Sequence, residues 1–253
     1  MGLVSTPAIV LHAIKYGETS KIVKLATRDY GVQSAIAKGA GRPKSRFGAQ
    51  LEILSEGTAH LYLKPSRELQ TLAGFEVLRL RPGLAGEVRR YAAAQVLTEL
   101  VLRCAPAEPH AWLFEFLSRQ LDRLAEVASV KLDEAALSAV WQLVGILGFA
   151  PQLDYCARDG RSLGAGAARF SISDGGLVCS ACAAGRKTAL LSRDDREALQ
   201  HLVAGSDDSP VNLSARHAAA HRRLLARFVR FHLAEGREFK ALDFWERLPW
   251  RDT

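Results

Sequence analysis

The chain has 253 residues, of which 48% are hydrophobic and 24% charged, and a net charge of +7. That balance is ordinary for a soluble globular protein, with room for one large domain or two to three small ones. Residues 1–20 lack a signal-peptide pattern, and no apolar run of the roughly 18 residues a membrane helix needs is expected, nor therefore a membrane partner. Three of the four cysteines cluster, which favours a metal site in a reducing compartment over a disulfide framework.

The charge is uneven. Residues 1–80 hold 11 Lys/Arg against 6 Asp/Glu, whereas 81–150 hold 7 against 8, 151–190 hold 5 against 3 and 191–253 hold 11 against 10. A basic excess of this kind biases a protein toward polyanionic partners.

Ala8–Tyr16, Lys21–Thr27 and Val32–Lys38 read as strands separated by the turns Gly17–Ser20 and Arg28–Gly31. Leu51 and Ile53 flank Glu52, and Ala59, Leu61 and Leu63 alternate with polar partners. Lys64–Arg67 turns the chain into a last strand around Leu69–Leu80. Five short strands without a helix predict a small closed barrel. An oligonucleotide-binding (OB) barrel and an SH3-like barrel fit the spacing about equally.

Between the third strand and Leu51 lies Lys38–Gln50, which packs Lys38, Arg42, Lys44 and Arg46 together with three glycines, Pro43 and Phe47. Cations neutralise phosphates, glycines let a backbone approach closely, and an exposed ring can stack on a base. These residues are therefore candidate nucleic-acid contacts, beside the plainer reading of a solvated basic loop. The stretch is not a nucleotide-binding P-loop. Its Lys-Ser pair lies one position too close to Gly39, Pro43 removes a needed N–H, and no helix-forming run follows.

From Arg81 the period becomes helical. Leu84–Cys104 carries Val88, Tyr91, Ala92, Gln95 and Leu102, and Ala111–Val127 carries Leu113, Phe116, Leu117, Leu121 and Leu124. Leu132–Phe149 carries Leu137, Val140, Trp141, Val144 and Leu147. These stripes predict packed core helices. Residues 151–187 interrupt them with Cys156-x-x-Asp159, the run Phe170–Leu177 with a Gly175-Gly176 turn, and Cys179-x-x-Cys182. Two pairs with two-residue spacers, about twenty residues apart, have zinc-ribbon spacing. Asp159 replaces the fourth thiol, so the expected site has three thiolates and one carboxylate, holding one structural zinc per chain. The competing reading is a ribbon that stands without metal. Cys104 lies apart, as a small buried residue.

Ser192, with Asp195 three positions on, opens a helix to about Val203. Ser214 opens the longest one, to about Glu235, with Gly236 closing it. On that helix Arg216, Arg223, Arg227 and Arg230 fall within about 60° of each other, away from Leu224, Leu225, Phe228 and Phe231. The stripe reads either as a solvated face or as a second nucleic-acid surface. The tail Glu238–Trp250 is too apolar to be left in solvent. The segments expected are thus a barrel (1–80), a first helical part (81–150), a zinc-ribbon-like insertion (151–187) and a second helical part (188–253). Together they form an α+β multidomain chain in which an OB-like five-stranded barrel precedes a helical bundle.

Several matching signals then occur in order: Tyr16-Gly-Glu-Thr-Ser20, Thr27-Arg-Asp-Tyr-Gly31, Ala37-Lys-Gly-Ala40 with Ser45, Leu147-Gly-Phe-Ala-Pro151, and the cysteine cluster with Gly175-Gly176. In this order the chain resembles the RecO family of bacterial DNA repair proteins over nearly its full length. The resemblance implies an N-terminal OB-fold, a helical domain and an inserted zinc-binding element. It implies no enzyme activity, but binding of single- and double-stranded DNA, annealing of complementary strands, and cooperation with RecR to load RecA onto strands coated by single-strand-binding protein. It also implies a cytoplasmic, nucleoid-associated protein. Asp159 departs from the family's four-cysteine pattern.

Two other classes compete: a zinc-ribbon adaptor that binds proteins without touching DNA, and a zinc-dependent hydrolase. Against the latter, the sequence offers no triad and no His-x-Glu-type metal site. His217 and His221 share a helix face but lack a third ligand.

Overall fold

In a computed structural model, residues 2–45, 47, 50–106, 108–205 and 213–248 are described. The chain divides into two compact units, Met1–Glu126 and Val127–Thr253. The division falls inside the segment 81–150.

The first unit begins with five strands: β1 (Gly2–Tyr16), β2 (Ser20–Thr27), β3 (Gly31–Ala37), β4 (Glu56–Leu63) and β5 (Leu69–Arg79). They close on themselves in the order β1-β2-β3-β5-β4, with β4 returning to β1. Every pair is antiparallel except β3 with β5. Inward positions are taken by Val10, Val23, Leu25, Leu61, Leu72 and Phe75. Small residues at Ala35, Ala37 and Ala59 leave room for them, as a tapering barrel interior requires. The bulge between Val10 and His12 shifts the pairing of β1 with β2. It turns Ile14 and Tyr16 outward.

One expected strand fragment is absent. Residues 51–55 form a loop, not the start of a strand. Leu51 and Leu54 are both buried, a spacing of three that an alternating strand cannot supply. Leu54 takes a left-handed conformation with φ 72°. Its N–H donates to Val10 O at 2.8 Å, and Val10 N–H donates to Ser55 O at 2.9 Å.

Helices α1 (Pro82–Ala85), α2 (Val88–Cys104) and α3 (Ala111–Glu126) belong to the barrel's unit. α2 packs on β1 and β2, and α3 on β2. The stripe expected on α2 is displaced. Val88 and Tyr91 are exposed, whereas Ala93, Val96, Leu97, Leu100 and Val101 are buried. Ala92, Ala93 and Ala94 present a smooth surface that packs closely, so the buried face follows the small residues as much as the large ones. α3 buries the side predicted for it. Arg81 ties the two parts together: its buried guanidinium pairs with Glu56 and with Asp122 at 2.7 Å, and donates to Leu54 O at 2.9 Å.

The second unit contains α4 (Leu132–Val144), whose last turn widens into a π-type turn over Gly145–Phe149. It continues with β6 (Ala168–Ser171), β7 (Gly176–Val178), α5 (Ser180–Ala183), β8 (Ala189–Leu191), α6 (Arg193–Ala204), α7 (Ala215–Leu233) and α8 (Lys240–Arg247). The segment Ser129–Phe149 is long and apolar enough to cross a membrane by length and composition, which the expectation of no such run missed. Leu137, Val140, Trp141 and Val144 on it are buried, and α4 packs against α6 and α7. Trp141 and Phe170 each meet Phe228 edge-on, at 5.2 and 5.9 Å. One ring thus joins α4, β6 and α7.

Ser192 caps α6 as expected, accepting from Asp195 N–H at 3.1 Å, and Gly205 ends the helix at φ 68°. Ser214 caps α7, which ends at Leu233. Phe231, expected on the apolar side of α7, is exposed. The apolar tail packs back: α8 lies on α7, burying Phe239, Leu242 and Trp245. Trp250 lies outside the described residues.

Candidate metal centre and nucleic-acid interface

The metal candidates come from two turns brought together by the three-stranded sheet β7-β6-β8. Gly176 opens β7 beside Gln152. A Cβ there would stand 2.3 Å from Gln152 O, so only glycine permits this approach. Gly176 thereby allows the chain leading to Cys156 to lie beside the strand leading to Cys179. Cys156 N–H donates to Arg161 O at 2.8 Å and Gly160 N–H returns to Cys156 O at 2.9 Å, closing the first turn. Cys179 caps the short helix α5, and its sulfur accepts from Cys182 N–H at 3.4 Å.

One donor atom from each of Cys156, Asp159, Cys179 and Cys182 lies within 4.8 Å of the others. Ligands held about 2.3 Å from a tetrahedral zinc are about 3.8 Å apart, so the residues fit such an ion. The Cys179 and Cys182 thiols reach Asp159 Oδ2 at 3.6 and 3.3 Å. Arg161 Nε lies 2.8 Å from the same oxygen, orienting the carboxylate from outside.

The electrostatics reflect this crowding. Hydrogen bonding from Cys156, with further help from Arg161 and Cys182, holds the Asp159 carboxyl well below the usual carboxylate range. Burial, then hydrogen bonding with Asp159 and the other thiols, pushes Cys182 up to about 12. Burial acts to raise Cys156, but the backbone N–H groups of Cys179, Asp159 and Arg158 together bring it below its ordinary value. This cluster of three thiols and a carboxylate can hold a metal ion such as zinc. Cys104 lies on α2 in the other unit and takes no part.

The basic loop after β3 is a chain of tight turns. Arg42 N–H donates to Gly39 O and Ser45 N–H to Arg42 O, at 3.1 and 3.0 Å. Gly41 N–H donates to Thr19 O at 2.8 Å, fastening the loop to the turn between β1 and β2. Lys38, Arg42 and Lys44 are exposed, and none has an ion-pair partner among the described residues. Arg46 lies outside the described residues.

Phe47 is a correction. It is 1% exposed and sits in the barrel core with Leu51 and Phe75. Its ring cannot stack on a base, because burying an aromatic ring was worth more than presenting it.

On α7, Arg216, Arg223 and Arg227 are exposed and have no ion-pair partner among the described residues. Arg230 leaves that stripe. It pairs with Asp243 at 2.6 Å and with Glu246, both on α8. Two carboxylates compensate its charge, so it anchors α8 and offers little to a phosphate. His221 is 2% exposed and His217 exposed, and neither belongs to a cluster of three or more candidate metal ligands among the described residues.

Comparison with known proteins shows the family. The family model for the N-terminal part of recombination protein O matches residues 1–81, and that for its C-terminal part matches residues 86–241. A DNA repair protein RecO of Anaeromyxobacter sp. (strain K) is 32% identical over 259 residues, covering 98% of each chain. That of Gloeobacter violaceus is 31% identical over 88% of this chain and 86% of its own. That of Geobacter metallireducens is 35% identical over 70% of this chain and 71% of its own. With both parts matched in order and one relative aligned over 98% of each chain, the chain belongs to the RecO family of DNA repair and recombination proteins.

Proposed function

We propose that this protein is a non-enzymatic DNA-binding mediator of recombinational repair in the bacterial cytoplasm, acting at the nucleoid. In this reading it binds single- and double-stranded DNA and anneals complementary strands. With RecR, it helps load RecA onto single strands covered by single-strand-binding protein. Family membership supports the repair role. The strand order β1-β2-β3-β5-β4, with its single parallel pair, supports reading the barrel as an OB-fold. The Cys156–Asp159–Cys179–Cys182 cluster is read as a structural zinc site, since four filled positions leave none for a reactive water.

The observation that carries the reading is the exposed, unpaired charge of Lys38, Arg42 and Lys44 on a loop held by a rigid barrel. Unpaired cations break no ion pair when they turn toward phosphate, and counterion release then drives binding. Such contacts position a backbone and carry no sequence information.

The test is single-strand affinity measured against salt for the whole chain. The wild type should lose affinity steeply as salt rises. The combined variant Lys38→Glu, Arg42→Glu, Lys44→Glu should bind weakly, with a log–log salt slope flatter by about two, at roughly 0.7 per lost single-strand phosphate contact. Its thermal midpoint should be unchanged, because these side chains make no ion pair. Unaltered affinity would move the site elsewhere.

A further inference from the structure

Three of the four donors in the cysteine–aspartate cluster can give up electrons and one cannot. A thiolate is open to oxidation, whereas the Asp159 carboxylate has no such chemistry. The three thiols also differ in access. Cys156 is 2% exposed, while Cys179 and Cys182 are half-buried. The residues between those two, Ser180 and Ala181, are small and exposed, so no bulky side chain of the spacer covers the pair. Cys179 and Ser180 also line a recess bounded by Leu163, Arg169 and Leu190, which gives a small solute a way in.

Position pairs the two accessible thiols with each other. They stand at the two ends of one turn, where Cys182 N–H donates to Cys179 Sγ at 3.4 Å. One donor atom from each residue of the cluster lies within 4.8 Å of the others. A two-residue spacer also spans a disulfide, as it does in thiol–disulfide oxidoreductases. In a site of four thiols, losing one such pair leaves a second pair on the metal. Here it leaves Cys156 and Asp159, one thiol and one carboxylate from a single turn, well short of the four donors of a structural site. Asp159 therefore makes the cluster all-or-none: oxidising one pair removes two of its three soft donors.

We propose that Cys179 and Cys182 are a hydroperoxide-sensitive pair whose oxidation to a disulfide ends metal binding at the cluster. The proposal rests on the zinc reading above. Bound zinc keeps coordinating thiols ionised, the form that attacks a peroxide. One of the two sulfurs attacks an oxygen of hydrogen peroxide, the O–O bond breaks, and hydroxide leaves to take a proton, giving a sulfenic acid and water. The other thiolate attacks that sulfur, so the S–S bond forms and hydroxide is expelled, again protonated to water. Two thiolates, two protons and one hydrogen peroxide thus give one disulfide and two waters. Sulfur is oxidised, the peroxide oxygens are reduced, and the zinc ion keeps its charge. Small thiols of a reducing compartment can reverse the disulfide. The sheet β7-β6-β8 and the hydrogen bonds between Cys156, Gly160 and Arg161 involve no sulfur, so the strands persist when the metal leaves.

The test titrates the zinc-loaded full chain with hydrogen peroxide. Retained zinc is read by elemental analysis after desalting, and thiol pairing by peptide mass mapping. About one disulfide should appear per zinc released, joining Cys179 to Cys182 and leaving Cys156 a free thiol. Dithiothreitol with added zinc should restore the metal. Cys104→Ser should behave as the wild type, since that thiol lies in the other unit. Asp159→Cys should keep part of its zinc after the first disulfide and lose the rest only with a second. Zinc that stays bound once Cys179 and Cys182 are joined would overturn the proposal and leave the zinc reading intact. Release accompanied by a disulfide at Cys156, or by sulfinic acid without any disulfide, would also overturn it. Identical release by the wild type and Asp159→Cys would overturn the all-or-none role of the carboxylate. A chain that takes up no zinc would bring down the zinc reading and the proposal together.

Discussion

Burial decides what a side chain can do in this protein, and His221 is a clear instance. The ring is 2% exposed on α7, and neither nitrogen has a hydrogen-bond partner among the described residues. Asp195 Oδ1 lies 3.6 Å from Nε2, too far for a hydrogen bond. Burial lowers the imidazole below its ordinary value of about 6.5; Asp195 acts to raise it, and His217 lowers it further. In the unfolded chain the ring takes up a proton as pH falls through about 6.5, while the folded chain resists doing so. The unfolded state then binds more protons, so this histidine costs no stability above that pH and progressively more below it. The thermal midpoint should fall between pH 7.5 and 5.5. His221→Leu should reduce that fall and change stability at pH 7.5 by no more than about 1 kcal/mol, since it removes polar atoms that make no hydrogen bonds. A variant whose midpoint falls just as far would mean that other groups carry the acid sensitivity. Phe47 and Arg230 follow the same logic. Each belongs to a residue type suited to DNA contact, yet the ring is spent on the barrel core and the guanidinium on the carboxylates of α8.

At the level of elements, alternation and turn chemistry made the barrel strands legible, because one face of each strand is buried and the turns carry glycine or proline. Helix caps at Ser192 and Ser214 were legible because a hydroxyl three residues before an orphan N–H has little else to do. The buried face of α2 was not. It includes Ala92, Ala93 and Ala94, and alanine leaves little amphipathic signal. The outward turn of Ile14 and Tyr16 escaped notice for a related reason. Both look like core residues until the bulge in β1 fixes which way they point. The clustering of Cys156, Asp159, Cys179 and Cys182 was legible from spacing alone, since a two-residue spacer is a local constraint. Its departure at Asp159 carries the next prediction. Purified protein should contain about one zinc per chain. Asp159→Cys, which completes a softer donor set, should hold zinc more tightly against a chelator, and Asp159→Ala less tightly. Arg161→Ala, which frees the carboxylate from its orienting partner, should weaken zinc roughly 10–100-fold. Equal retention across all four proteins would mean that Asp159 is no ligand.

For the whole molecule, the question is what two compact units, each with its own free cations, can do that one cannot. The barrel unit presents Lys38, Arg42 and Lys44, and the other unit presents Arg216, Arg223 and Arg227. Annealing joins two strands of like charge, so its rate depends on counter-charge supplied to both backbones, whereas holding one strand needs only one surface. If the barrel is the primary single-strand site, charge reversal there should lower strand affinity and annealing together. Arg223→Glu with Arg227→Glu should slow annealing of complementary oligonucleotides at least tenfold, and lower single-strand affinity by only about 1 kcal/mol. Folding should survive, because both side chains are exposed and make no ion pair among the described residues. Annealing followed by fluorescence quenching, alongside anisotropy on one strand, separates the two effects. Equal losses in both would place the arginines in the same binding surface as the loop, and a variant that anneals normally would make the stripe a solvated face. Because the two measurements share one protein and one oligonucleotide, their ratio is independent of active fraction. It therefore reports directly whether a second strand uses a second surface.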